Sequence, residues 1–128
     1  MTFTLALSGD SMITRGSVLS DDERSRRLRQ LIDDADVAFT NLEVVASDLR
    51  GYHSSGAFTP PLIASSAVLD ELVSLGVDVA GFANNHTLNL GIDGMLDTVR
   101  GLRERKIACA GVGMTGENIL RVLRQIWW

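Results

Sequence analysis

The chain has 128 residues and a formal net charge of −4, enough for one domain with a real core and too little for two. Its basic residues are spread out rather than gathered in a stripe, so no nucleic-acid partner is expected. A single cysteine excludes a disulfide framework. Neither a signal peptide nor an apolar run near the ~20 residues of a spanning helix is visible, which reads as a cytoplasmic chain without a membrane segment.

In chain order, "FTLALS" at 3–8 reads as a first strand. The charge-dense "DDERSRRLRQ" mixes both signs and reads as a solvated helix face. Ser20 with Glu23 forms a capping box that predicts a helix to Ala35, with Leu28, Leu31 and Ile32 on one face. "DVAFTNL" at 36–42 is a second strand. A polar, glycine-containing loop ending at Pro60-Pro61 then reads as an excursion from the core.

A helix follows around 65–75, with Leu69, Leu72 and Val73 inward and Gly76 at its end. "VDVAGFA" at 77–83 is the third strand, 91–105 a helix carrying Met95, Val99 and Leu102, and "IACAGV" at 107–112 the fourth strand. Cys109 within it reads as a small buried hydrophobe. The tail from Glu117 reads as a last helix. Strands alternating with helices predict an α/β fold with a mostly parallel sheet and right-handed crossovers.

In open α/β sheets, ligands bind outside the carboxyl ends of the strands. Those ends here carry Gly9-Asp10, Asn41 with Glu43, Asn84-Asn85-His86, and Gly111-Val112-Gly113. Parallel strands bring all four groups to one edge. Each residue also has a plainer reading. Asp10 is as well suited to an Asx-turn or helix cap as to a ligand. Glu43 is a poor turn former, and its plainer reading is a solvated side chain. His53, in "GYHSSG", reads as plain loop. Arg15 could grip an anion bidentately or form a surface salt bridge. "GVGMTG" at 111–116 matches G-x-G-x-x-G, but it lacks the acidic residue about 20 positions on that a dinucleotide site needs. It reads as a glycine-rich turn. Asp, Glu, Asn and His together suit a divalent Mn, Fe or Zn ion, which would activate water or polarise a phosphoryl oxygen.

"LSGDSMITRG" (7–16), "ADVAFTNLE" (35–43) and "GVDVAGFANNHTLNLGIDGMLDTVRGLRERKIACAGVG" (76–113) resemble the bacterial capsule-synthesis CapA family, also known for poly-γ-glutamate synthesis and part of the calcineurin-like metallophosphoesterase superfamily. The likeness covers residues 4–113 of a single domain and leaves 114–128 as a divergent tail. It implies the N-terminal half of a metallophosphoesterase α/β sandwich. It also implies Asp10, Glu43 and Asn85 as metal ligands, and His86 as the group acting on the phosphoryl or leaving oxygen. Arg15, Asn84 and Asn41 are the candidates for binding substrate.

Two departures stand out. Met12 occupies the place where the superfamily's first motif commonly has a histidine, and Asn89 the place where members often have aspartate. The histidines that complete the superfamily's site from its C-terminal half have no counterpart, since the chain has two histidines in all. The expectation is a truncated or frame-altered chain with a weak metal site or none. The alternative is a non-catalytic half-domain that forms a homodimer or awaits a missing C-terminal half.

Overall fold

A computed structural model describes residues 2–16, 22–49 and 60–115 of the chain. In order, these form β1 (Leu5–Ser11), α1 (Glu23–Asp33), β2 (Val37–Leu42), β3 (Val45–Ala46), β4 (Ile63–Ala64), a 3₁₀ turn at Ser66–Val68 that runs into α2 (Leu69–Ser74), β5 (Val79–Gly81), α3 (Gly91–Glu104) and β6 (Ala108–Ala110). The main sheet has the order β1-β2-β5-β6, and every pair in it is parallel. This is the α/β arrangement that the alternation of elements predicts.

Side chains on a strand alternate between the two faces, and β2 shows it plainly. Ala38, Thr40 and Leu42 are buried while Val37, Phe39 and Asn41 are half-buried. The buried face continues through Ala80 and Phe82, which share one apolar cluster with Leu69 and Leu72 of α2 and Met95 and Leu102 of α3. Among the described residues no helix is long and apolar enough to cross a membrane.

Five expectations need correction. The stretch before Pro60-Pro61 is not an excursion at its ends. Val44, Val45 and Ala46 are fully buried, and β3 pairs in parallel with β4. The reason is apolarity: three small or β-branched side chains fill the space beside α3. Thr98 of α3 is itself fully buried there, its Oγ1 donating to Gly94 O at 2.8 Å and accepting from Ala46 N at 3.1 Å.

The first helix is capped by Asp22, whose side chain accepts from Ser25 N at 2.8 Å. Ser20 lies outside the described residues. Leu28 and Leu31 are 43% and 71% exposed, and α1 contributes no buried residue. Val73 of α2 also points outward, because the helix is only six residues long and follows a tighter turn. Finally, β1 runs beyond residue 8 to Ser11, with a bulge between Leu7 and Asp10 that keeps it paired. His53, the tail helix from Glu117 and Trp127-Trp128 lie outside the described residues.

Candidate functional site

Register sets the site. Asp10 lies opposite Asn41, and Asn41 opposite Gly81, in one row across three strands. Just beyond, Glu43 N donates to Ser11 O at 3.1 Å, which holds the end of β2 against β1. The carboxyl ends of the strands bring Asp10, Asn41, Glu43, Asn84 and His86 together, and among the described residues no hydrogen bond ties Asn85 to them.

The Asn41 carboxamide sits at the centre. Its Nδ2 donates to Asp10 Oδ1 at 2.9 Å and to Glu43 Oε1 at 2.7 Å. An amide NH₂ has two protons to give, so one neutral nitrogen serves both carboxylates. Asn41 Oδ1 in turn accepts from Asn84 Nδ2 at 3.2 Å.

The loop after β5 is built by its own side chains. Asn84 Oδ1 accepts from His86 N at 3.0 Å, an Asx-turn. Asn84 Nδ2 also donates to Leu42 O at 2.7 Å, tying this loop to the end of β2. Thr87 Oγ1 donates to Phe82 O and accepts from Asn84 N at 3.1 Å. Asn85, in the middle of the turn, is exposed and has no hydrogen bond to another described residue. Two adjacent asparagines thus differ completely: one is woven into the fold and the other is open to solvent.

His86 is 7% exposed. Its Nε2 lies 3.7 Å from Glu43 Oε2, facing it across a gap too long for a hydrogen bond. Its Nδ1 is 2.9 Å from Oδ1 of Asn89, which is 2% exposed and also accepts from Leu62 N at 2.8 Å. Neither Asn89 nor Thr87 was marked by sequence reasoning as part of the site's support. The available signal was the i, i+3 spacing of His86 and Asn89, with Asn89 held between two leucines.

Of the remaining candidates, Arg15 is exposed and lines a groove with Asp10, Met12, Leu28 and Leu75. Gly111, Val112 and Gly113 line another beside Asn84 and Thr87. Gly111 has φ +91°, and a Cβ there would stand 2.6 Å from Ala83 Cβ, so this glycine serves the backbone turn. Cys109 packs against the core, and burial pushes its thiol up to about 11. That is the behaviour of a small hydrophobe rather than a nucleophile.

The cluster contains donor types that divalent cations take. Two carboxylate oxygens converge on one neutral nitrogen, and an imidazole nitrogen faces the second carboxylate. Among the described residues, however, no three His, Cys, Asp or Glu side chains form a group able to hold one ion. The Asn41 amide stands where the two carboxylates meet.

A family model described as bacterial capsule synthesis protein PGA_cap matches residues 4–123, running past Gly113 into the tail. The chain is also similar to two uncharacterized proteins of Sinorhizobium fredii (strain NBRC 101917 / NGR234), y4uA and y4sH, each 32% identical over 117 residues. These matches cover 87% of this chain and 25% of each relative, so the chain spans about a quarter of their length.

Proposed function

The chain belongs to the bacterial capsule synthesis protein family PGA_cap, and on that premise we propose that its strand-end cluster is part of a metal-dependent phosphoester-type hydrolytic site. The observation that carries this reading is the single Asn41 nitrogen shared by the Asp10 and Glu43 carboxylates. Two carboxylates converge there on a neutral donor, and converging anions attract a cation.

In this reading Asp10 and Glu43 hold the ion, with the open carboxamide of Asn85 as a third oxygen ligand. When bound, the metal polarises a phosphoryl oxygen or supplies hydroxide near neutral pH. The protein's own groups do the rest. His86 Nε2 handles a proton at the oxygen beside Glu43. Asn41 and Asn84 fix the distance between the two carboxylate-bearing strands and the loop that carries His86. Arg15, at the rim, meets the substrate's negative charge. Among the described residues no three His, Cys, Asp or Glu side chains converge on one point, so the ion is held weakly.

Calorimetric titration of the chain with Mn²⁺ and with Zn²⁺ tests the assignment. One site per chain is expected, weakened at least about tenfold by Asp10→Asn and by Glu43→Gln. No binding to the parent chain, or equal binding to the variants, would overturn it.

A second reading has its own observation. Leu5 and Leu7 alternate along the start of β1, an edge strand among the described residues, and are 57% and 72% exposed. Exposed apolar edges invite association, which fits a non-catalytic module that binds a partner or a second copy. Sedimentation equilibrium over a wide concentration range decides it, and a strict monomer at all concentrations removes the homodimer.

A further inference from the structure

We infer that Asn89 is a positioning residue that fixes His86 as the Nδ1–H tautomer and leaves Nε2 as a bare acceptor facing Glu43. The argument begins at Leu62, whose backbone N–H can only donate. It lies 2.8 Å from Asn89 Oδ1, so the atom there must be the amide oxygen rather than the nitrogen. Which way the carboxamide is turned is thereby settled by the main chain.

The same oxygen lies 2.9 Å from His86 Nδ1. An amide oxygen has no proton, so the ring nitrogen must bring one. A neutral imidazole has a single N–H, and the hydrogen bond at one nitrogen decides the state of the other. With the proton on Nδ1, Nε2 presents a lone pair. Asn89 and His86 are 2% and 7% exposed, so water has little access to compete for either end of this bond.

The consequence lies at the other side of the ring. Nε2 and Glu43 Oε2 face each other at 3.7 Å. A lone pair opposite a carboxylate has nothing to share until a third group enters that brings a proton or positive charge. The gap therefore selects for hydroxyl donors and cations and against further acceptors. In its neutral form His86 receives a proton from such a hydroxyl before it can return one. An amide at position 89 sets this orientation without adding a third anion beside Glu43. The tautomer follows from the geometry alone, whereas the use of Nε2 rests on the reading of the site given above.

The experiment is a long-range ¹H–¹⁵N spectrum of the ¹⁵N-labelled full chain, recorded without metal at about pH 9. The chain has two histidines, so His53→Gln isolates the His86 signals. The expected result is a pyrrole-type Nδ1 and a well-separated pyridine-type Nε2. An Nε2–H tautomer, or averaged shifts from a mixture of the two, would overturn the inference.

Asn89→Asp keeps an oxygen in place and is expected to retain the same tautomer. Asn89→Leu removes it and is expected to lose the preference. Retention of the Nδ1–H form in a folded Asn89→Leu chain would show that Asn89 does not set it. Should the leucine variant fail to fold, the parent spectrum and Asn89→Asp still decide. None of these readings depends on metal binding, so failure here and failure of the metal titration are distinguishable.

Discussion

Replacing Asn84 and Asn85 separately by alanine should give two unlike outcomes, although the residues are adjacent and identical in type. Asn84 makes side-chain bonds that alanine cannot replace, the three shortest being Nδ2 to Leu42 O, Nδ2 to Asn41 Oδ1, and Oδ1 from His86 N. Each contributes on the order of 1 kcal/mol net, and half-burial of the residue lets water recover part of it. The expected cost is about 2–3 kcal/mol. In a domain of this size that lowers Tm by roughly 6–15 °C. Asn85 is exposed, and its loss should stay within about 0.5 kcal/mol. Urea and thermal unfolding followed by circular dichroism measure both. Asn84→Asp sharpens the comparison, because it keeps the acceptor for His86 N but turns a carboxylate toward Leu42 O and Asn41 Oδ1. It should destabilise at least as much as alanine. Equal costs for Asn84→Ala and Asn85→Ala, or an aspartate that is tolerated, would refute the division of labour drawn from the hydrogen bonds.

Thr98→Val keeps the side chain's shape but leaves the buried Ala46 N–H without its acceptor, so a loss of about 1–3 kcal/mol is expected in urea unfolding, and Thr98→Ser should recover most of it. The Asp36 carboxylate accepts from Thr4 N at 2.7 Å and Thr4 Oγ1 at 2.8 Å, which holds it below its ordinary value of 3.8. Its contribution is therefore complete above that value and fades as pH falls through the lower folded one, so Asp36→Asn should flatten the acid limb of a stability–pH profile below 3.8. Cys109, with its thiol raised to about 11, should react with a disulfide reagent at about pH 8 far more slowly than after unfolding in urea, and matching rates would contradict its burial.

Much of the fold was legible because its signals are local. Each main-sheet strand contains a short apolar run, and Met95, Val99 and Leu102 recur at helical spacing in α3. What was not legible depended on distant partners. Nothing near Val44–Ala46 says that a second ladder waits at Ile63–Ala64, since a two-residue strand has no periodicity to read. The spacing of Leu28, Leu31 and Ile32 marked an apolar stripe on α1, yet Leu28 and Leu31 stay exposed. Periodicity locates a stripe and does not name what covers it.

The site divides the same way. That Asp10, Asn41, Glu43 and the Asn-Asn-His run would meet followed from parallel strands alone, because all of them sit at carboxyl ends. How the three residues of that run share their work did not follow. An Asx-turn joins residue i to i+2, so Asn84 must fold back on His86 N while Asn85, between them, is turned outward. The same turn commits His86 to the interior, where it needs an oxygen at Nδ1 and finds it three residues on in Asn89. This hydrogen bond from a backbone N–H to a side-chain oxygen thus bears on which carboxamide is left exposed and which edge of the imidazole meets Glu43. The geometry at this strand end depends on a turn as much as on the identity of its residues. A substitution that preserved both asparagines but opened the turn, such as Thr87→Ala, would disturb the site through geometry alone.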